Sequence, residues 1–118
     1  MLVDAENVRR SRWPNVEAAE LVRLCDRWAE ADGHRVVVVF DGRAPGDVLG
    51  ERALDDRCEV VGTGAESADD WLVRRARHCH AHGATYWLVT SDRALRSAAG
   101  GHAERVLGGG SFVRRLHA

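Results

Sequence analysis

Short unbroken runs of hydrophobic residues divide the chain and predict buried strands. The clearest run is Val36–Phe40, which is apolar at successive positions and ends at Asp41. Such a run is too short for a lone helix and is typical of a central strand covered on both faces of a sheet. Similar or weaker runs predict four further strands, at residues 1–3, 59–61, 86–89 and 105–107. The pattern therefore predicts about five strands.

Apolar residues at helical spacing lie between these runs. Leu21, Leu24 and Trp28 predict a helix with Asn15 as its N-cap and Gly33 just beyond its end. Ser67 predicts the start of a second helix that ends before Gly83. Short helices are predicted at residues 94–99 and 111–116, and a further one at residues 47–56, because a parallel crossover usually contains a helix.

Strands that alternate with helices predict an α/β fold with a parallel sheet covered on both faces. The expected architecture is a three-layer α/β/α arrangement around a central parallel sheet of about five strands. A chain of 118 residues has the length of one domain, so residues 1–118 are expected to form a single domain.

The charged residues exclude several classes of protein. All 17 basic residues are arginine, so the chain has neither a Schiff-base lysine nor the lysine of a phosphate-binding Walker loop. The 18 acidic residues nearly cancel the basic ones and leave a net charge of −1. Any contact with nucleic acid must therefore be local rather than spread over the whole surface.

The cysteines and the apolar content predict a cytoplasmic protein. Cys25, Cys58 and Cys79 are widely spaced and form no CxxC pair, which favours reduced thiols in the core over a disulfide or a zinc knuckle. No apolar stretch approaches the roughly 18 residues that span a bilayer, and no signal peptide is apparent at the N-terminus.

Acidic residues follow the predicted strands. Asp4, Asp41 and Asp92 each come at the end of a strand, and Glu66, Asp69 and Asp70 surround the start of the helix after the third strand. The carboxyl ends of parallel strands meet at one edge of the sheet, where these carboxylates would repel one another. A hard cation such as Mg²⁺ or Mn²⁺ would relieve that repulsion. Turn or helix-capping roles remain open for Asp41 and Asp70, and Glu66 is expected to be a loop residue.

The chain resembles the NYN branch of the PIN-like nucleases, closest to its YacP-like bacterial members. The resemblance rests on segments in register at residues 2–8 (LVDAENV), 13–14 (WP), 39–41 (VFD), 66–70 (ESADD) and 89–92 (VTSD). It implies a metal-dependent endoribonuclease in which an aspartate cluster holds Mg²⁺ or Mn²⁺ and an activated water hydrolyses an RNA phosphodiester. The expected substrate is single-stranded RNA, either messenger or ribosome-associated.

The resemblance also implies roles for individual residues. Asp4, Asp69 and Asp92 look like the metal ligands, and Asp41 and Asp70 like further acidic residues of the catalytic site. Asp69 is favoured over Asp70, because adjacent helical residues point about 100° apart and only one can face the ion. The expected substrate-binding residues are Asn7, which also steadies Asp4, Ser91, and the arginines that flank the aspartates, Arg10, Arg43 and Arg93.

Other interpretations stay open for the function and for two motifs. The chain could be a non-catalytic RNA- or protein-binding module with an incomplete cluster, or a toxin-type PIN ribonuclease. His78, His80 and His82 could form a zinc site, although histidines near a helix C-terminus are also favoured by the helix dipole. Trp13 could stack on a base, but is expected to pack on the first long helix as a loop anchor.

Overall fold

The computed structural model describes residues 1–118 and contains a six-stranded sheet between two layers of helices. The strands are β1 (Leu2–Asp4), β2 (Val36–Phe40), β3 (Gly50–Ala53), β4 (Cys58–Gly62), β5 (Trp87–Val89) and β6 (Arg105–Leu107). The helices are α1 (Ala5–Arg10), α2 (Ala18–Asp32), α3 (Ala68–Ala81), α4 (Arg93–Ala99) and α5 (Gly109–Leu116). The predicted α/β/α class is confirmed, as are the five strands expected from the hydrophobic runs. No helix is long and apolar enough to cross a membrane.

The sheet order β3-β4-β2-β1-β5-β6 places the first strand near the centre. All neighbouring strands are parallel except β3, which runs antiparallel to β4. The chain leaves β1 toward β2 on one side and later returns to β5 on the other side. Strand order therefore reverses next to β1, and the carboxyl ends of β1 and β5 flank the topological switch point at which such sheets bind ligands.

Each face of the sheet has its own hydrophobic core. On one face α1, α2 and α5 bury Val8, Leu21 and Phe112, and on the other α3 and α4 bury Leu72 and Leu95. The unbroken apolar run of β2 follows from this arrangement, because alternate residues of a strand point to opposite faces and both faces are covered.

The predicted helix at residues 47–56 is wrong. Gly46 and Asp47 have φ values of 80° and 62°, and two consecutive residues in the left-handed region cannot continue a right-handed helix. The chain instead forms β3, an edge strand whose residues Gly50–Ala53 are all exposed and pair with β4. The hydrophobic pattern does not predict this strand, because its stability comes from pairing with β4 rather than from apolar residues of its own.

Other differences concern helix boundaries. The helix expected to begin after Asn15 begins at Ala18, with Glu17 as its N-cap, but it ends before Gly33 as predicted. The cap at Ser67 is confirmed, since its Oγ accepts a hydrogen bond from the backbone N–H of Asp70 at 3.0 Å. Helices α4 and α5 begin one and two residues earlier than predicted, and the short helix α1 is additional to the predicted ones.

Candidate active site

Asp4 lies at the end of β1 and is only 6% exposed. The fully buried Thr90, which follows β5, donates a hydrogen bond from Oγ1 to Asp4 Oδ2 at 2.9 Å. Thr90 Oγ1 also accepts a hydrogen bond from the backbone N–H of Asp92 at 3.2 Å. Because β1 and β5 are adjacent parallel strands, this threonine fixes the buried carboxylate and the loop that carries Asp92 at the same edge of the sheet.

Asn7 and Ser91 connect three elements beside that edge. Asn7 Oδ1 accepts a hydrogen bond from the backbone N–H of Ser91 at 2.8 Å, and Ser91 Oγ accepts one from the backbone N–H of Gly109 at 2.9 Å. These contacts hold the start of α1, the loop after β5 and the start of α5 together. They leave the amide Nδ2 of Asn7 and the hydroxyl proton of Ser91 as donors for a ligand.

Two further aspartates cap helices at the same end of the sheet. Asp41 Oδ1 accepts a hydrogen bond from the backbone N–H of Ala68 at 2.7 Å, and Asp92 Oδ1 accepts one from the backbone N–H of Leu95 at 2.9 Å. Each aspartate therefore uses one carboxylate oxygen to anchor the N-terminus of α3 or α4, and its other oxygen remains available. The capping role left open for Asp41 therefore accounts for only one of its two carboxylate oxygens.

Burial and neighbouring carboxylates raise the pKa of two of these aspartates, Asp4 and Asp69. Burial raises the pKa of Asp4, hydrogen bonding by Thr90 and the backbone of Asn7 counteracts this, and the charges of Asp69 and Asp41 raise the pKa further. The pKa of Asp69 is raised by burial and then by Asp92, Asp41 and Asp70. Residues from β1, from the loops after β2 and β5 and from the start of α3 thus place negative charge in one region.

The donor set suits a hard divalent cation that keeps part of its water shell. No three His, Cys, Asp or Glu side chains form a group that would hold a metal ion by themselves. Mg²⁺ is commonly bound by only one or two carboxylates, with water and substrate phosphate completing its octahedron. Asp4 and Asp69, whose pKa values are both raised by burial and by neighbouring carboxylates, fit that mode of binding.

Glu66 does not contribute to the raised pKa of Asp4 or of Asp69, whereas the charge of Asp70 does contribute to that of Asp69. Glu66 and Asp70 line a separate cleft with Arg74, and Glu66 forms an ion pair with Arg74 at 2.8 Å that lowers the pKa of the glutamate. Glu66 is thus engaged within its own loop and helix, in keeping with the role expected for it. Burial raises the pKa of Asp69, and the charges of Asp92 and Asp41 raise it further.

The three predicted phosphate-binding arginines are all exposed. Arg10 pairs with Glu6 at 3.6 Å and Arg43 pairs with Asp47 at 3.4 Å. Arg93 is the first residue of α4, directly after Asp92, and makes no ion pair. Exposed pairs of this kind contribute little to stability, so Arg10 and Arg43 can exchange their partners for phosphate at small cost.

Three expectations for other motifs have different outcomes. The three histidines of α3 and its C-cap form no metal group; His80 stacks on His102 at 3.6 Å and His78 lies 4.1 Å from His82, measured between ring centroids. Trp13 does not pack on the first long helix, as it is 88% exposed, so that prediction is wrong. The cysteines are free, with Cys25 and Cys58 buried as predicted and Cys79 half-buried.

We expect Asp4→Asn to stabilise the metal-free protein more at about pH 7 than at about pH 4. The folded state raises the pKa of Asp4 above its usual 3.8, so this group's contribution to stability is complete at lower pH and is lost as pH rises through the raised pKa. Asparagine does not titrate and escapes that loss. Urea unfolding in EDTA at both pH values measures the difference, with Asp56→Asn as control, since Asp56 is exposed near the opposite end of β4. A pH-independent effect of Asp4→Asn would contradict the expectation.

Comparison with known proteins agrees with the fold and the motifs. The family model for YacP-like NYN domains matches residues 2–117. The crystal structure of Rae1 (YacP) from Bacillus subtilis superposes with a TM-score of 0.71 at 24% sequence identity, covering 98% of this chain and 72% of that one. A crystal structure of a point mutant of Rae1 gives a TM-score of 0.71 at 23% identity, covering 98% and 73%. No curated protein sequence matches the chain.

The two solved structures show that the fold is shared, and the family match extends over almost the whole sequence. Residues 2–117 include Asp4, Asp69 and Asp92 together with all of the segments on which the resemblance rested. The resemblance is thereby confirmed, and the chain belongs to the YacP-like NYN domain family, which has a nuclease fold.

Proposed function

We propose that this domain is a metal-dependent endoribonuclease that hydrolyses RNA phosphodiester bonds. The observation that carries the proposal is the buried carboxylate of Asp4, held by Thr90 at the topological switch point and close enough to Asp69 and Asp41 for their charges to raise its pKa. Burying a carboxylate among like charges destabilises the fold, so its retention at the ligand-binding edge of the sheet favours a function.

In this proposal the metal ligands are Asp4, Asp69 and Asp92. One or two of their carboxylates would bind Mg²⁺ or Mn²⁺ at a time. The bound ion would lower the pKa of a coordinated water and offset the negative charge that develops on the phosphate. Thr90 keeps Asp4 oriented through its 2.9 Å hydrogen bond, and Asp92 remains anchored by the N-terminus of α4. Asp41 and Asp70 are the remaining acidic residues assigned to the site, with Asp41 also holding the start of α3.

The substrate is held by donors around the aspartates. Arg10, Arg43 and Arg93 are exposed and present guanidinium groups that bind phosphate through two N–H donors. The free amide of Asn7 and the hydroxyl of Ser91 supply neutral donors next to Asp92. Single-stranded RNA fits this site best, because Asp41, Asp69 and Asp92 are exposed and a flexible strand can bend its backbone toward the buried Asp4.

The direct test is cleavage of an internally labelled single-stranded RNA by the purified protein in millimolar MnCl₂, in MgCl₂ and in EDTA. We expect internal cleavage with either metal and none in EDTA, because the carboxylates of the site need the ion to activate water. RNA with both ends blocked distinguishes endonucleolytic from exonucleolytic cleavage. Equal cleavage in EDTA and in metal would contradict the metal-dependent mechanism.

A second candidate is a non-catalytic module that binds RNA or protein. It is favoured by one observation, that no three acidic or histidine side chains form a ready metal group. The same assay separates the two candidates. RNA that binds to the protein but is not cut in either metal would support the module, whereas metal-dependent cutting would exclude it.

A further inference from the structure

A groove lies where the end of α1 meets α5. Its volume is about 580 Å³ and it is lined by Ser11, Arg12, Gly110, Val113, Arg114 and His117. We call this the α1/α5 groove. Its lining contains two guanidinium groups, an imidazole and a hydroxyl but no carboxylate. In a chain of net charge −1, that composition makes the groove a local site for a negatively charged ligand.

Two residues of the groove adjoin residues that support the aspartate site. Gly109 packs so closely on α1 that a Cβ added there would lie 2.8 Å from Asn7 Oδ1 and 3.3 Å from Ser11 Cβ. The backbone N–H of Gly109 also donates the hydrogen bond to Ser91, the residue before Asp92. Ser11 and Gly110, which line the groove, therefore lie directly beside the helix crossing that supports Ser91.

The segment after α1 also carries an exposed aromatic ring next to a groove residue in the sequence. Trp13 follows Arg12 and is 88% exposed, and no other large hydrophobic side chain of the protein is as exposed. An exposed indole beside a guanidinium is the usual arrangement for stacking on a nucleic acid base. Glu17 and Glu20 line the neighbouring cleft that shares Arg12 and His117, so negative charge limits the basic surface on that side.

We propose that the α1/α5 groove binds the phosphates of single-stranded RNA next to the scissile bond, through Arg12 and Arg114, while Trp13 stacks on an unpaired base. The inference rests on the proposed function for the identity of the ligand. The occupant is RNA rather than a free anion, because two guanidinium groups in the groove and an exposed indole next to Arg12 in the chain match the phosphates and the bases of one strand. His117 adds a hydrogen-bond donor at the far end of the groove.

The test measures RNA binding by the Asp4→Asn protein, so that cleavage does not consume the probe. The probe is a fluorescein-labelled single-stranded RNA of mixed sequence, titrated at several salt concentrations. We expect Trp13→Ala to weaken binding roughly 10-fold and Trp13→Phe to restore most of that affinity, because phenylalanine can still stack. Replacing Arg12 and Arg114 together by alanine should weaken binding and make the slope of log affinity against log salt shallower by about 0.7 for each phosphate that the protein no longer neutralises.

The matched control is Arg52→Ala, which removes an exposed arginine on the edge strand β3, at the opposite side of the sheet from β6. It should leave both affinity and salt dependence unchanged. Thermal melting of each variant checks that the fold persists.

Groove variants that bind RNA like the control would overturn the inference even if the wild-type protein cuts RNA. Groove-dependent binding by a protein that never cuts RNA would support the groove and reject the nuclease. Preference for a duplex of the same sequence would overturn the assignment to single strands.

Discussion

Replacement of Asp4 by asparagine is expected to lower the rate of RNA cleavage by about 100- to 1,000-fold while the fold remains intact. Asparagine keeps the volume of the side chain and can still accept the hydrogen bond from Thr90, which lies at 2.9 Å in the native protein. It removes one negative charge from the region shared with Asp69 and Asp41, so the site binds its cation more weakly. With less metal bound, the pKa of the attacking water is lowered less often, and the charge that develops on the phosphate is offset less.

Binding and stability should respond differently from the rate. The arginines that contact RNA phosphates do not depend on Asp4, so affinity for RNA should fall far less than the rate and should keep its dependence on salt. Stability at neutral pH should be equal or higher, because repulsion that raises the pKa of Asp4 is removed. Rates from gel assays, affinities from titrations and urea unfolding give the three quantities.

Asp56→Asn provides the matched control for this experiment. It makes the same chemical change at an exposed position near the amino end of β4, far from the carboxyl ends where the site lies. Its cleavage rate should equal that of the wild-type protein. If Asp4→Asn also cuts RNA at the wild-type rate, with contaminating nuclease excluded by repurification, then Asp4 has no part in the reaction.

Features that depend on local pattern could be predicted from the sequence. The run Val36–Phe40 is apolar on both faces because helices cover both sides of β2, and the caps at Ser67 and Gly33 depend only on neighbouring residues. The clustering of acidic residues at one edge of the sheet could be predicted because the carboxyl ends of parallel strands meet there. Asp4 is the last residue of β1, and Asp92 lies just after the adjacent strand β5.

Features that depend on distant parts of the chain could not be read in this way. Thr90 contacts a carboxylate 86 positions away in sequence, and nothing near it signals that partner. Strand β3 has no apolar alternation and exists because β4 offers an edge with which to pair. The exposure of Trp13 depends on how the segment after α1 lies against the helices, and the preference of tryptophan for burial pointed the other way.

Whether the aspartates act together as metal ligands is also a matter of tertiary geometry. Asp69 and Asp70 are neighbours in sequence, and they differ only in the direction in which the helix points their side chains. In the structure burial and the charges of Asp92, Asp41 and Asp70 raise the pKa of Asp69, and Asp70 also lines a cleft with Arg74. Their assignment as catalytic residues stays a prediction until the variants are measured.

The largest effect on stability is expected from Gly62→Ala, which should lower the free energy of unfolding by about 3 kcal/mol. Gly62 ends β4, and a Cβ at this position would lie 2.2 Å from the carbonyl oxygen of Val48, 2.8 Å from that of Gly42 and 2.9 Å from the backbone nitrogen of Ala44. All three atoms belong to backbone, so no side-chain rotation can relieve the overlap. The strand itself is held because Gly62 pairs with Phe40 of β2 and with Gly50 of β3.

The loop at residues 42–48 must therefore move, and it follows directly after Asp41. Asp41 anchors the start of α3 through its 2.7 Å hydrogen bond from Ala68, so displacement of the loop should also disturb Asp69 and slow cleavage. The control is Gly101→Ala, because a Cβ there meets nothing within 4 Å and its φ is not positive. Urea unfolding should show a clear destabilisation for Gly62→Ala and a change of at most about 0.5 kcal/mol for the control. Equal stability of the two variants would mean that the loop at residues 42–48 does not approach β4 as closely as described. This loop would then not hold Asp41 in place.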